Sequence, residues 1–256
     1  MNSQANLHVK TLSADGSFTA FSTQFNEHYH STKDGALNES LQKHVIPAIK
    51  ILEDKKSIII LDICFGLGFN TLATLYYIKK NNLDIKVIIY SPEFDRKLIN
   101  SLNNFEYPIE FYDFRNIIKE LSSNYTYKDE NIDINIIVGD AREYLKVCDT
   151  KFDIVFQDAF SPDSNPLLWT QEYFEDINRV IKDDGIITTY SIALKTRLAL
   201  HNLGFKIYLN RGEKFRSSTI ASKIELKYFD IVDMKHKISC NQNVVPLSDR
   251  EFLFTI

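Results

Sequence analysis

The run SIIILDICF, residues 57–65, followed at once by Gly66-Leu67-Gly68, constrains this chain more than any other feature. A short, continuously apolar run reads as a strand buried on both faces, the environment of a central parallel strand. Glycines directly behind it let the backbone turn sharply and approach a ligand, and the next helix offers its free N–H groups there. Such a unit implies an open α/β sheet with a nucleotide-like ligand at the carboxyl ends of its strands. A glycine turn also arises from tight packing alone, so the function has to be read from what surrounds it.

The rest of the chain repeats the unit. Helical spacing is expected over 70–80, 95–102, 141–147, 170–181 and 193–202, and strands over 86–90, 135–138, 152–157, 185–190, 205–209 and 217–222. This alternation predicts an α/β fold with a doubly wound, Rossmann-like sheet. Asp15-Gly16 predicts an N-terminal β-hairpin extension. Leu37, Leu41, Val45, Ala48, Ile49 and Leu52 follow a helical period in which Pro47 marks a kink or boundary. The polar stretch 122–133 reads as a surface insertion. The expected division is 1–56 for the N-terminal extension, 57–222 for the core, and 223–256 for a C-terminal extension on the sheet edge or hairpin, with a strand-like end over 252–255.

Composition narrows the functional classes. The 256 residues suit one large domain, and 44% hydrophobic residues suffice for a sizeable core. No apolar run approaches the roughly 18 residues a membrane span needs, and the N-terminal segment lacks a signal-peptide core. Cys64, Cys148 and Cys240 are far apart, which fits a reducing, cytoplasmic setting. Cys64 itself, at a buried strand end with no evident base, reads as core. The histidines lack metal-ligand spacing, so no metal is expected. A net charge of −4 argues against indiscriminate coating of nucleic acid, yet residues 195–219 hold six bases against Glu213 alone. That patch suits an RNA backbone, or simply a solvated end of the sheet.

Three acids extend the glycine loop. Glu93, beyond the second strand, suits the hydroxyls of a ribose. Asp140 opens a helix, where it either caps that helix or takes an adenine amine, with the Ala141 N–H facing the ring. Glycine loop, ribose acid and adenine acid in this order suit S-adenosylmethionine. Asp158 follows the fourth strand inside QDAFSPDSNPLLWTQEYF. It suits orientation of an amine, with Phe160 and Trp169 positioned to stack on a base and Pro162 and Pro166 stiffening the loop.

With YHSTKDGALNES, LDICFGLGFNTL, YSPEF, VGDAREYL and above all QDAFSPDSNPLLWTQEYF in view, residues 29–222 resemble the methyltransferase domain of the MnmC-type tRNA 5-methylaminomethyl-2-thiouridine biosynthesis proteins. The resemblance implies a class I methyltransferase sheet and cofactor contacts at Tyr29, Glu39, Gly66, Gly68, Asn70, Glu93 and Asp140. It implies catalytic positioning by Asp158. It also places Phe160, Pro162, Trp169, Arg211, Lys214 and Arg216 toward the substrate, although LNRGEKFRSSTIAS is less arginine-rich than the family's usual segment. The implied reaction is methylation of 5-aminomethyl-uridine at the tRNA wobble position, downstream of separate enzymes that install the aminomethyl group. The flavin-dependent oxidase domain of larger relatives is not expected in this chain. Two other readings share the sheet: an aminopropyltransferase of the spermidine-synthase type, and a non-catalytic RNA-binding protein.

Overall fold

The computed structural model describes residues 8–252. In chain order these form β1 (His8–Leu12), β2 (Phe18–Ser22), β3 (Glu27–His28), α1 (Ala36–Glu39), a π-helical stretch (Ser40–Val45), α2 (Ile46–Leu52), β4 (Ser57–Ile63), α3 (Phe69–Lys80), β5 (Lys86–Glu93) and α4 (Arg96–Ser101). There follow α5 (Arg115–Asn124), β6 (Thr126–Lys128), β7 (Ile132–Val138), α6 (Ala141–Val147), β8 (Phe152–Gln157), α7 (Gln171–Val180) and β9 (Ile181–Thr189). The last elements are α8 (Leu194–Asn202), β10 (Lys206–Asn210), β11 (Ser218–Ser222), β12 (Asp230–Ile231) and α9 (Met234–Cys240).

The main sheet runs β12-β10-β11-β9-β8-β4-β5-β7-β6. Its five central strands, β9 to β7, are parallel, and the strands outside them are antiparallel. Along β4, Ile58 and Ile60 belong to one core layer, while Leu61 and Ile63 belong to the other. This period of two under a continuously apolar run is what burial on both faces requires. Chain order reverses between β4 and β8, so their carboxyl ends open the crevice in which such sheets bind ligands.

Several expectations change. Residues 122–133 are not an insertion: they finish α5 and add the edge strand β6 against β7. Pro47 does mark a boundary: the π-helical stretch ends just before α2, whose first turn holds the proline. Proline has no N–H to give to an earlier carbonyl, and the wider turn accommodates that loss. The sheet runs past Ser222, because β12 pairs with β10. Beyond α9 the chain docks on the α6–α7 side, where Arg142 donates to Asp249 at 2.6 Å and the Gln171 N–H donates to the Leu247 carbonyl. Among the described residues, the tail thus adds β12 to the sheet edge and docks its later part on the α6–α7 side. Of the expected terminal strand, Phe252 lies in a turn and 253–255 fall outside the described residues. No helix among the described residues is long and apolar enough to cross a membrane.

One buried ion cluster ties β4, β8 and β9 together at the opposite end of the sheet from the crevice. Asp153, 1% exposed, accepts from Lys55 and Lys182 at 2.8 Å each and from the Ile59 N–H at 2.9 Å. Burial raises the Asp153 pKa, but Lys182, Lys55 and that amide outweigh it and hold the carboxyl below its ordinary value. A depressed carboxyl stabilises the fold above its unfolded pKa of about 3.9, and that contribution disappears as pH falls through the folded value. Thermal unfolding should thus separate wild type from Asp153→Asn at pH 7 and bring the two together below about pH 4. A gap that stays constant with pH would remove this role from Asp153.

Candidate active site

The carboxyl ends of the central strands surround a cavity of about 550 Å³. Tyr29, Glu39, Gly66, Asn70, Glu93, Asp140, Ala141, Asp158 and Phe160 all line it, although they span much of the sequence. The loop after β3 supplies one wall. Loops after β4, β5, β7 and β8 supply the floor and the opposite side.

The glycine loop shows why these residue types stand there. Gly66 adopts φ +54°, and a Cβ on it would sit 3.0 Å from the Tyr29 ring. Its N–H donates to Glu93 Oε2 at 2.8 Å, and the Asp95 N–H donates to Oε1 at 2.7 Å. Glu93 is thereby fixed by backbone before any ligand arrives, with lone pairs left for two hydroxyls. Its burial pushes its pKa up against the opposing effect of those two amides. Gly68 does not line the cavity. It precedes α3 at φ +75°, where a Cβ would lie 2.8 Å from the Phe65 ring, so its requirement is packing.

Asp140 is the cap of α6 that its position predicts, and it stands in the cavity wall as well. Its Oδ1 caps α6, accepting from the Arg142 N–H at 2.7 Å, and the residue also lines the cavity. Cys64 packs against the core as expected and also borders the cavity, in a left-handed conformation at φ +64°. Burial and the surrounding acids push its thiol well above the ordinary range, which makes it a poor nucleophile.

Asp158 is the most constrained group. Asn70 Nδ2 donates to its Oδ2 at 2.8 Å, and His44 Nε2 lies 3.4 Å from its Oδ1. Burial raises its pKa, but His44, His30 and Asn70 together hold the carboxyl below the ordinary value. Asp62, buried behind it, takes the Thr71 hydroxyl at 2.8 Å and is pushed up to about 7 by burial. Of two neighbouring carboxyls, burial thus raises one, while histidines and an amide lower the other.

The loop after β8 departs from expectation at one residue. Trp169 is 1% exposed and packs on Phe174 and Tyr190, so it has no free face for a base. Its Nε1 donates to the Phe160 carbonyl at 2.7 Å and thereby props the loop. Phe160 does face the cavity, stacked on Phe25 at 4.6 Å and tilted against Tyr29. Pro162 lies in the same loop without lining the cavity.

The basic segment also divides. Arg216 lines the cavity but is committed to protein: its Nε donates to Asp34 Oδ2 at 3.1 Å and its Nη2 to Ser31 Oγ at 2.9 Å. Asp34 in turn joins Glu39 around the buried Lys43 ammonium, at 2.6 and 2.7 Å. Arg211 and Lys214 are exposed and lie away from the cavity lining.

His30, His44, Asp62, Phe94 and Tyr190 belong to the site or its support and were not singled out from the sequence. A carboxylate inside an otherwise apolar strand run was a legible signal for Asp62, since buried charge needs a reason. The histidines carried no comparable signal, because their partners are distant in the chain.

The donor set fits S-adenosylmethionine. Glu93 suits the ribose, Asp140 and Ala141 the adenine, and Glu39 with Asn70 the amino-acid end. Asn70 Oδ1, buried without a hydrogen-bond partner, is an acceptor awaiting a donor.

Residues 106–224 match the family described as S-adenosyl-L-methionine-dependent methyltransferase. MnmC2 from Aquifex aeolicus has a solved structure similar to this one, with a TM-score of 0.83 and 31% identity over 98% of this chain and 82% of that one. An uncharacterized protein of Methanocaldococcus jannaschii is 33% identical over 78% of this chain and 55% of its own length. The tRNA 5-methylaminomethyl-2-thiouridine biosynthesis bifunctional protein MnmC of Campylobacter hominis is 29% identical over 64% of this chain. The chain thus spans about half of the first of these curated relatives and 25% of the second. By its match along nearly all of this chain and 82% of the Aquifex structure, with a cofactor-type cavity at the carboxyl ends of its central strands, the chain belongs to the MnmC-type methyltransferase domains and is an S-adenosylmethionine-dependent methyltransferase.

Proposed function

We propose that this methyltransferase converts 5-aminomethyl-uridine at the tRNA wobble position to 5-methylaminomethyl-uridine, acting in the cytoplasm. The observation that carries this reading is the buried Asp158 carboxylate, gripped by Asn70 and faced by His44 at the edge of a cavity lined with cofactor-type acceptors. Bound S-adenosylmethionine supplies a methyl group made electrophilic by a positively charged sulfur. An ammonium acceptor has no lone pair, so it must lose a proton to solvent water before attack. Asp158 accepts the remaining N–H bonds of the neutral amine and aims its lone pair, while the acceptor's C–N bond forms as the S–C bond breaks. Because the carboxyl is held below its ordinary pKa, its work is to orient the amine more than to store the proton. Phe160, backed by Phe25, offers an aromatic face to the pyrimidine.

Mass analysis of tRNA nucleosides from cells lacking this protein tests the reading: aminomethyl-uridine should accumulate, and an unchanged wobble position would sink it. With purified protein, putrescine offered beside tRNA separates this activity from aminopropyl transfer.

Lys214, exposed, and Arg211, exposed and 3.9 Å from Asp230, are the cations expected to meet the RNA backbone. Replacing both with alanine should weaken tRNA binding and lower the slope of log K against log salt by up to about 1 per lost phosphate contact. An unchanged slope would place the RNA elsewhere. Arg216→Ala should act differently, loosening the loop at residues 31–34 that it ties down.

A further inference from the structure

His44 is buried and does not line the cavity. It lies in the π-helical stretch, whose wide turn brings the adjacent Lys43 and His44 both inward: Lys43 to Asp34 and Glu39, His44 to Asp158 and Thr188. Wide helical turns of this kind recur at functional sites. Its Nδ1 is 3.0 Å from Thr188 Oγ1, and its ring meets Phe156 edge-on. Its Nε2 stands 3.4 Å from Asp158 Oδ1 without an aligned hydrogen bond to any group.

The proton on that ring can be placed. Thr188 is fully buried on β9, and a buried hydroxyl hydrogen needs an acceptor. Nδ1 is the partner available to it, which leaves the proton of a neutral ring on Nε2. A doubly protonated ring carries one there as well. In either state a donor faces Asp158 from behind, opposite the Asn70 amide on the other oxygen.

We propose that His44 is a positioning residue for methyl transfer: the Asn70 amide holds one oxygen of Asp158 and the His44 Nε2–H faces the other at 3.4 Å, so that the carboxylate meets the acceptor amine in one orientation. This rests on Asp158 being the amine-facing group. The charged and titratable groups around His44 are Asp158 and Asp62 from the ends of β8 and β4, His30 from the loop after β3, and Glu39 and Lys43 from its own helical segment. Without the imidazole, the Asp158 carboxyl loses its main stabilising partner and takes up a proton at higher pH.

His44→Leu should cut kcat by about 10–100-fold, as expected for a misplaced orienting group, with cofactor affinity by calorimetry unchanged. The acid limb of its kcat–pH profile should move to higher pH. The Asp158 carboxyl ¹³C signal should titrate at higher pH in the free protein, a readout that needs neither acceptor nor cofactor. His44→Gln, which can present an amide N–H to the same oxygen, should recover a large part of kcat. Thr188→Val should shift the Asp158 titration in the same direction as His44→Leu. Wild-type kcat and wild-type Asp158 titration in His44→Leu overturn the proposal. If that variant does not fold, the same result in both His44→Gln and Thr188→Val overturns it. Failure of the wild-type protein to methylate the tRNA amine overturns the substrate reading instead, and the carboxyl titration still decides the role of His44.

Discussion

Asp158→Ala is expected to lower kcat for amine methylation by about 10²–10⁴-fold while leaving S-adenosylmethionine affinity close to that of wild type. The carboxylate is held by Asn70 Nδ2 and flanked by His44, and the Asn70 atom fitted to the amino-acid end of the cofactor is its other one, the unpartnered Oδ1. Loss of an interaction used only at the reacting amine lowers kcat and kcat/KM together. Asp158→Asn preserves the shape but exchanges one acceptor oxygen for an N–H group, so it should remain deeply impaired. Steady-state kinetics with tRNA, alongside cofactor calorimetry, measures both quantities. Full turnover in Asp158→Ala, with normal binding, would remove Asp158 from the transfer step.

The second large effect is expected at Glu93, and it should fall on binding. Glu93→Ala deletes the acceptor for two ribose hydroxyls and leaves the N–H groups of Gly66 and Asp95 without their carboxylate. Hydrogen bonds to a charged group are each worth about 1.5–3 kcal/mol, so the Kd for S-adenosylmethionine should rise by roughly 10²-fold or more. At saturating cofactor kcat should recover, because the methyl and the amine meet elsewhere in the cavity. Glu93→Gln should lose less, since its amide oxygen still accepts. Calorimetry that finds wild-type affinity in Glu93→Ala would move the ribose to a different acceptor.

The core of the sheet was legible because its information is local. The apolar run at β4, the glycine loop behind it and the alternation of strand and helix each lie within a few residues, and each is dictated by burial or backbone geometry. Glu93, Asp140 and Asp158 were legible for a related reason, since each follows directly on a strand at the sheet's carboxyl edge. Trp169 was misread because an aromatic residue in a substrate loop looks the same whether it faces a base or props the loop. Only its buried ring and its bond to the Phe160 carbonyl separate the two. Residues 122–133 were misread because the edge strand β6 is short and polar, and its strand character comes from pairing with β7.

The sequence alone determined the α/β class, the order in which a glycine loop and acids stand at the strand ends, and the family resemblance, because each is carried by short segments whose physics is self-contained. The tertiary structure decided what those acids are. It set Asp158 between Asn70 and His44, residues 88 and 114 positions away if counted along the chain, and by burial it pushed the neighbouring Asp62 up to about 7. It turned Arg216 from a free cation into a clamp on Asp34, and placed the wall formed by Tyr29 and Glu39 over a loop that β4 had merely opened. Charge state and orientation depend on desolvation and on partners distant in sequence, so they exist only once the sheet has brought those partners together.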